Sequence, residues 1–223
     1  MATIVGYIHV CQKGAWQRSF ALLVNAIKAH GLYERAASVR LGVVSDAGTA
    51  NADPILSDPK FEIVHTGRAT EYERPTLLCM KKMAATDPED TLYFYLHTKG
   101  ITHFGTEREQ NVIDWINLML YWNVEHWQLA VNKLRTYDTY GCNDTGFHYS
   151  GNFWWARKHH VAKLPATIGS DYIAPENWVQ RVPHKKCNIY SSGHQGCGHY
   201  HAAFPRECYE NEISRFLPLT DVY

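Results

Sequence analysis

The chain has no apolar run long enough to span a membrane, no Cys-x-x-Cys pair, no Asp-x-Asp and no net charge. Each absence removes a class of function. A membrane helix needs roughly 18 or more consecutive apolar residues, and no stretch approaches that. The opening residues MATIVGYIHVCQKGAW carry no charged leader and too short an apolar segment for a signal peptide, so a cytoplasmic protein is expected. Lys+Arg and Asp+Glu balance at 22 each, which leaves no basic field for nucleic acid. The six cysteines (Cys11, Cys79, Cys142, Cys187, Cys197 and Cys208) are scattered. They read as reduced, mostly buried thiols, with a bridge among the last three left open.

What the chain does have is aromatic side chains, 7 Trp and 14 Tyr among 223 residues. These fill cores, and they also stack on sugars and bases. A hydrophobic share of 45% and a charged share of 20% suit an ordinary globular domain with a sizeable core.

TIVGYIHV is a β-branched and aromatic run, read as a strand. WQRSFALLVNAIKAHGL follows with Phe20, Leu23, Val24 and Ile27 at helical spacing and Gly31 as its stop. VRLGVVSDAG is a second strand, so the first 46 residues form a β-α-β unit with parallel strands. KFEIVHTG is a third strand, RPTLLCMKKMAAT a helix opened by Pro75, and TLYFYLHTKG a fourth strand. REQNVIDWINLMLYWNVEHWQLAVNKLRTY predicts two helices broken near Asn123. YDTYGCND and HYSGNFWWARKHH read as further strands, the latter running into a helix around residues 157–163. From Pro183 onward the chain is rich in His, Gly and Cys and poorly periodic.

Two stretches carry chemistry. In a wound α/β sheet, ligands bind outside the carboxyl ends of the strands, where His97, Thr98, Lys99 and Gly100 fall. An ammonium there suits a diphosphate, and glycine lets the backbone approach closely; a solvated polar turn is the plainer alternative. In HYSGNFWWARKHHVAKLP, strand alternation puts His148, Ser150, Asn152 and Trp154 on one face and Tyr149, Gly151, Phe153 and Trp155 on the other. Small polar groups beside flat rings suit a sugar, although the tryptophans also suit a core.

The ordered series of strand–HTKG, Trp-rich helical pair, YDTYGCND, HYSGNFWWA, LP and PENWV resembles a family of small glycosyltransferase-like proteins with the GT-A fold. Such proteins occur in bacteria, algae and large viruses of algae, and the match runs from about residue 3 to about residue 180. The resemblance implies an α/β domain, with a GT-A-like (Rossmann-like) mixed, mostly parallel sheet flanked by helices. Residues 1–223 are then read as one domain, with a nucleotide-sugar-binding half (1–100), an acceptor-side half (101–182) and, outside the resemblance, an irregular C-terminal appendage (183–223). The resemblance further implies a UDP-sugar donor and a glycan or glycoprotein acceptor, in the host cytoplasm if the chain is viral.

Many GT-A enzymes hold a divalent cation, Mn²⁺ or Mg²⁺, on the diphosphate through Asp-x-Asp, which this chain lacks. Either Lys99, with Arg68 or Arg74, neutralises the diphosphate without metal, or a metal sits elsewhere. For the second case the tail segment SSGHQGCGHYHAAF offers His199 and His201, which share a face if the segment is a strand, with His194 and Cys197 beside them. A His-rich loop that binds nothing is the plainer alternative.

Sugar transfer with inversion needs a base for the acceptor hydroxyl. Glu176 in APENWVQ is the first candidate and falls where the resemblance implies an acidic residue; a helix-start glutamate is its bland counterpart. Asp144 in GCNDTG is the second. Around the nucleotide, position nominates His9, Val10 and Cys11 after the first strand, Asp46 after the second, and Glu73 and Thr76 at the next helix start. Two rival readings stay open: a catalytically inactive sugar- or nucleotide-binding module, and a metal-dependent hydrolase built on the His-rich tail.

Overall fold

The computed structural model describes residues 2–50, 52–194 and 196–216. Strand β1 (Ile4–Cys11) is buried along nearly its whole length, as a central strand covered on both faces must be. Helix α1 (Trp16–Ala29) buries Trp16, Phe20, Leu23, Val24 and Ile27, the predicted stripe. At Gly31, φ is +73°, and this left-handed residue turns the chain into the single turn α2 (Leu32–Arg35). Strands β2 (Ser38–Ser45) and β3 (Phe61–Arg68) follow, then α3 (Arg74–Met83) with Pro75 in its first turn.

Strand β4 (Leu92–His97) leads to α4 (Glu109–Leu120). Residues Tyr121–Glu125 form a wide π-type turn before α5 (Trp127–Lys133), so the expected break near Asn123 is present. Asn123 is fully buried there, and its Nδ2 donates to the Met119 carbonyl. Strands β5 (Thr139–Gly141) and β6 (Trp154–Arg157), helices α6 (Lys158–Lys163) and α7 (Ala174–Asn177), and strand β7 (Lys186–Asn188) complete the regular elements.

These strands form one seven-stranded sheet in the order β3-β2-β1-β4-β6-β5-β7, with β6 antiparallel to both its neighbours and the remaining pairs parallel. The chain winds outward from β1 to β3 and then returns to β4 on the other side of β1. The carboxyl ends of β1 and β4 therefore flank the switch point of the sheet, where wound α/β proteins bind ligands. Strand alternation sorts the core into two layers. Ile4, Ile8, Phe94, Leu96 and Trp155 pack with α1 and α4, whereas Val5, Tyr7, Tyr93, Tyr95 and Trp154 pack with α3 and α6.

Two expectations need correction. The strand predicted over HYSGNFWWARKHH begins only at Trp154; residues 148–153 form a turn, with Gly151 at φ +88° and Asn152 at φ +58°. Consecutive left-handed residues cannot continue an extended ladder, so the alternation across 148–153 does not exist. The tail is also less detached than its composition suggests. It supplies β7, and Phe204 and Tyr209 belong to the α1–α4 core layer.

Candidate active site at the ends of β1 and β4

His9 and His97 are register partners at the ends of the two central strands. Beyond them the strand ends are tied together. The Cys11 amide donates to Thr98 Oγ1 at 2.9 Å, and the Thr98 amide donates to the His9 carbonyl at 2.9 Å. Ser19 on α1 fixes the next residue twice, accepting from the Lys99 amide at 2.9 Å and donating to its carbonyl at 3.0 Å. This aims the Lys99 side chain onto Trp115 of α4, with Nζ 3.9 Å from the ring centroid and 5.7 Å from that of Tyr200. Lys99 is only 7% exposed, and its ammonium makes no ion pair or hydrogen bond with a described residue. The π-faces offset such a charge only in part, and the Lys99 Nζ is not among the fully enclosed unpartnered atoms.

Beside Lys99 lies a network of neutral and acidic groups. The His97 Nε2–H donates to the Gly151 carbonyl at 3.0 Å, which leaves Nδ1 bare and 4.0 Å from Glu73 Oε1. Glu73 Oε2 accepts from the Tyr95 hydroxyl and from Asn152 Nδ2, each at 2.6 Å. Asn152 Oδ1 in turn accepts from Trp154 Nε1 at 2.9 Å. Burial, reinforced by the Lys99 charge, holds His97 down to about 4, so the ring is neutral at physiological pH. Burial likewise lowers His9 to about 4, and its Nδ1 pairs with Thr76 Oγ1 at 2.9 Å.

Glu176 on α7 faces the same crevice. Its Oε2 lies 3.7 Å from His148 Nε2, while His148 Nδ1 lies 3.1 Å from Asn177 Oδ1. The Glu176 charge is felt at His97, Tyr95 and Tyr172. Unlike Glu73, it accepts no hydrogen bond from a described residue, and its side chain is 22% exposed. Above it Tyr172 is exposed and meets Tyr72 edge-on, with ring centroids 5.4 Å apart. Tyr72 sits at φ +52°, ψ −144°, a strained conformation for a residue with a side chain.

Several predicted residues have other work. Val10 is wholly buried in the core. Cys11 offers its amide to Thr98, and burial pushes its thiol up. Asp46 is exposed and paired with Lys13 at 2.8 Å. Thr76 is buried on His9 and against Gly42, where an added Cβ would fall 1.9 Å from Thr76 Oγ1. Trp154 is a core residue stacked on Tyr95 at 5.0 Å. Ser150 is buried, its amide bonded to the Asn143 carbonyl.

Asp144 is a clamp. Its carboxylate meets Lys186 at 2.7 Å, Gln180 at 3.0 Å and the Gly146 amide at 2.9 Å. Burial works against ionisation there, but these three donors outweigh it and lower its pKa. Arg74 donates to the carbonyls of Gly169, Asp171 and Glu71, so its donors are committed to the loop before α7. Arg68 lies along Gly48, its side chain 3.2 Å from where a Cβ on that glycine would stand.

The tail approaches from the α4 side, but not as a strand. His199 ends the short 3₁₀ turn Gly196–Tyr200 and is fully buried, whereas His201 is exposed, so the two do not share a face. The side chain of Cys197 lies outside the described residues. His194 lies 4.9 Å from His199, ring to ring. Among the described residues no three His, Cys, Asp or Glu side chains cluster as metal ligands. At the strand end itself the chain offers an ammonium, which has no lone pair for a cation.

Trp115, Tyr95 and His148 were missed in the sequence. Trp115 is hidden in the apolar stripe of α4, and Tyr95 in a strand that reads as core. His148 was read only as one position on a strand face. No helix among the described residues is long and apolar enough to cross a membrane. No protein-family model matches the chain, and no curated protein matches it at significant similarity.

Proposed function

We propose that the crevice at the β1/β4 switch point binds the diphosphate of a nucleotide sugar, a UDP-sugar first among them. The chain then acts as a GT-A-like glycosyltransferase toward a hydroxyl of a glycan or glycoprotein acceptor. The observation that carries this reading is Lys99, a largely buried lysine whose ammonium has no acidic partner among the described residues, at the place where a wound sheet binds its ligand. Negative charge grows on the leaving diphosphate as the glycosidic bond breaks, and a pre-positioned cation stabilises it. Glu176, which accepts no hydrogen bond from a described residue, takes the proton of the acceptor hydroxyl, which corresponds to inversion. Neutral His97 and the Glu73–Asn152–Tyr95 network hold the Gly151–Asn152 turn against the site. No step is assigned to a metal.

The test is thermal stabilisation by UDP-, GDP-, CMP- and TDP-sugars, each with Mn²⁺ and with EDTA. A ligand that binds only the folded state raises the melting temperature by mass action. One nucleotide class should do so in EDTA as well as in Mn²⁺. No shift with any of the four removes the reading.

A further inference from the structure

Trp115 is the centre of a stack that includes the tail. The His199 ring lies parallel to it, 5.2 Å away at 19°, while Lys99 Nζ stands over the indole at 3.9 Å. Two nitrogens in this stack, Trp115 Nε1 and His199 Nδ1, are buried without any hydrogen-bond partner. The neighbours of His199 bear on which nitrogen carries its proton. Asn143 Oδ1 accepts from the Ser192 amide at 2.7 Å, so Asn143 presents its Nδ2 to His199 Nε2, at 3.5 Å. Ser192 Oγ accepts from the His194 amide at 3.2 Å and lies 2.9 Å from the same Nε2. Taken with the Asn143 amide and the Ser192 hydroxyl as its donors, Nε2 accepts and Nδ1 bears the hydrogen. Burial, with His194 and Lys99 adding to it, holds the ring neutral, at about 4. One ammonium and two orphaned N–H donors thus occupy a single buried stack.

We propose that Lys99, Trp115 Nε1–H and His199 Nδ1–H form a metal-independent pocket for a diphosphate, with the tail residues Ser192, His199 and Tyr200 as its outer wall. The inference rests on the donor-site reading for the natural ligand, but the pocket itself is read from the unpaired donors. Three donors and no acceptor are complementary to phosphoryl oxygens, and a protonated Nδ1 offers no lone pair to a metal. The tail then belongs to the site: His199 and Tyr200 bring it onto α4, where the Asn111 side chain donates to the Tyr200 carbonyl at 3.2 Å.

Calorimetric titration with sodium pyrophosphate in EDTA at neutral pH tests this on the whole chain. Wild type should bind. Trp115→Phe and His199→Phe keep the stacked rings and remove one N–H each, and should weaken binding about tenfold. Lys99→Met keeps the stem over the indole and should weaken it about a hundredfold. Absence of binding to wild type, or equal affinity in all three variants, overturns the pocket. An independent readout needs no variant. Proton–nitrogen correlation of the imidazoles should report the Nδ1–H tautomer for His199, with its signal moving when pyrophosphate is added; an Nε2–H tautomer overturns the assignment. Pyrophosphate binding without any response to sugar nucleotides keeps the pocket and removes the transferase reading. Sugar-nucleotide binding in EDTA that survives all three substitutions overturns the pocket and moves the nucleotide site away from Lys99.

Discussion

His9 and His97 are register partners across β1 and β4, His9 buried and His97 nearly so; burial keeps both neutral, and His97 adds to the lowering at His9. Their folded values, about 4, lie below the unfolded value near 6.5. As pH falls below about 6.5, the unfolded chain takes up protons that the folded chain refuses, so stability is lost from there down to about 4. Each such histidine contributes a slope of up to about 1.4 kcal/mol per pH unit, and His160, also at about 4, adds to it. Urea denaturation at neutral pH and just above pH 4.5 (about the point where carboxylates begin to titrate) should show a marked fall. A flat profile would mean that these rings are solvated in the folded state.

The sheet was legible because its strands are chemically loud: β-branched and aromatic runs closed by Gly, Asp or a polar strand end. The switch point followed from the order of elements, and Lys99 from its place one turn past β4. What misled was HYSGNFWW, whose period-two pattern is that of a strand. Two left-handed residues at Gly151 and Asn152 break it, and a pattern of side chains does not encode backbone sign except through glycine. Asp144 and Glu176 look alike as isolated acids. They differ only in partners remote in sequence, with Lys186 and Gln180 on the first and the single long contact from His148 on the second.

That difference predicts Asp144→Asn. The substitution weakens the link to Lys186 and leaves the neighbouring turn less firmly held, at a cost of roughly 1 kcal/mol for a partly exposed pair. Melting should shift down by a few degrees while any transfer activity persists. Loss of activity with unchanged melting would give Asp144 a chemical role after all.

Gly151 makes a sharper prediction. At φ +88° a side chain is strained, and a Cβ there would fall 2.2 Å from Met119 Sδ and 3.2 Å from Trp115 Cε2. Gly151→Ala should destabilise by roughly 1–3 kcal/mol from strain and overpacking together. Because the Gly151 carbonyl accepts from His97 and the added Cβ would press on Trp115, the variant should also bind pyrophosphate more weakly than its residual stability accounts for. Comparing affinity and melting in the same preparation separates the two effects.

Glu176→Gln bears most directly on the chemistry. Glutamine keeps the size of the side chain and its place beside His148 but cannot take a proton from an acceptor hydroxyl. General-base catalysis is worth roughly 10²–10⁴ in rate, so transfer should fall by about that factor. Under the proposed reading donor binding rests on Lys99 and the strand ends, and should be unchanged in a thermal-shift titration. Glu73→Gln supplies the contrast: Glu73 already accepts from Tyr95 and Asn152. Its loss should loosen the Gly151–Asn152 turn and lower stability and donor affinity together. If Glu176→Gln turns over normally while Glu73→Gln does not, the base has been assigned to the wrong carboxylate, and the crevice works from the α3 side.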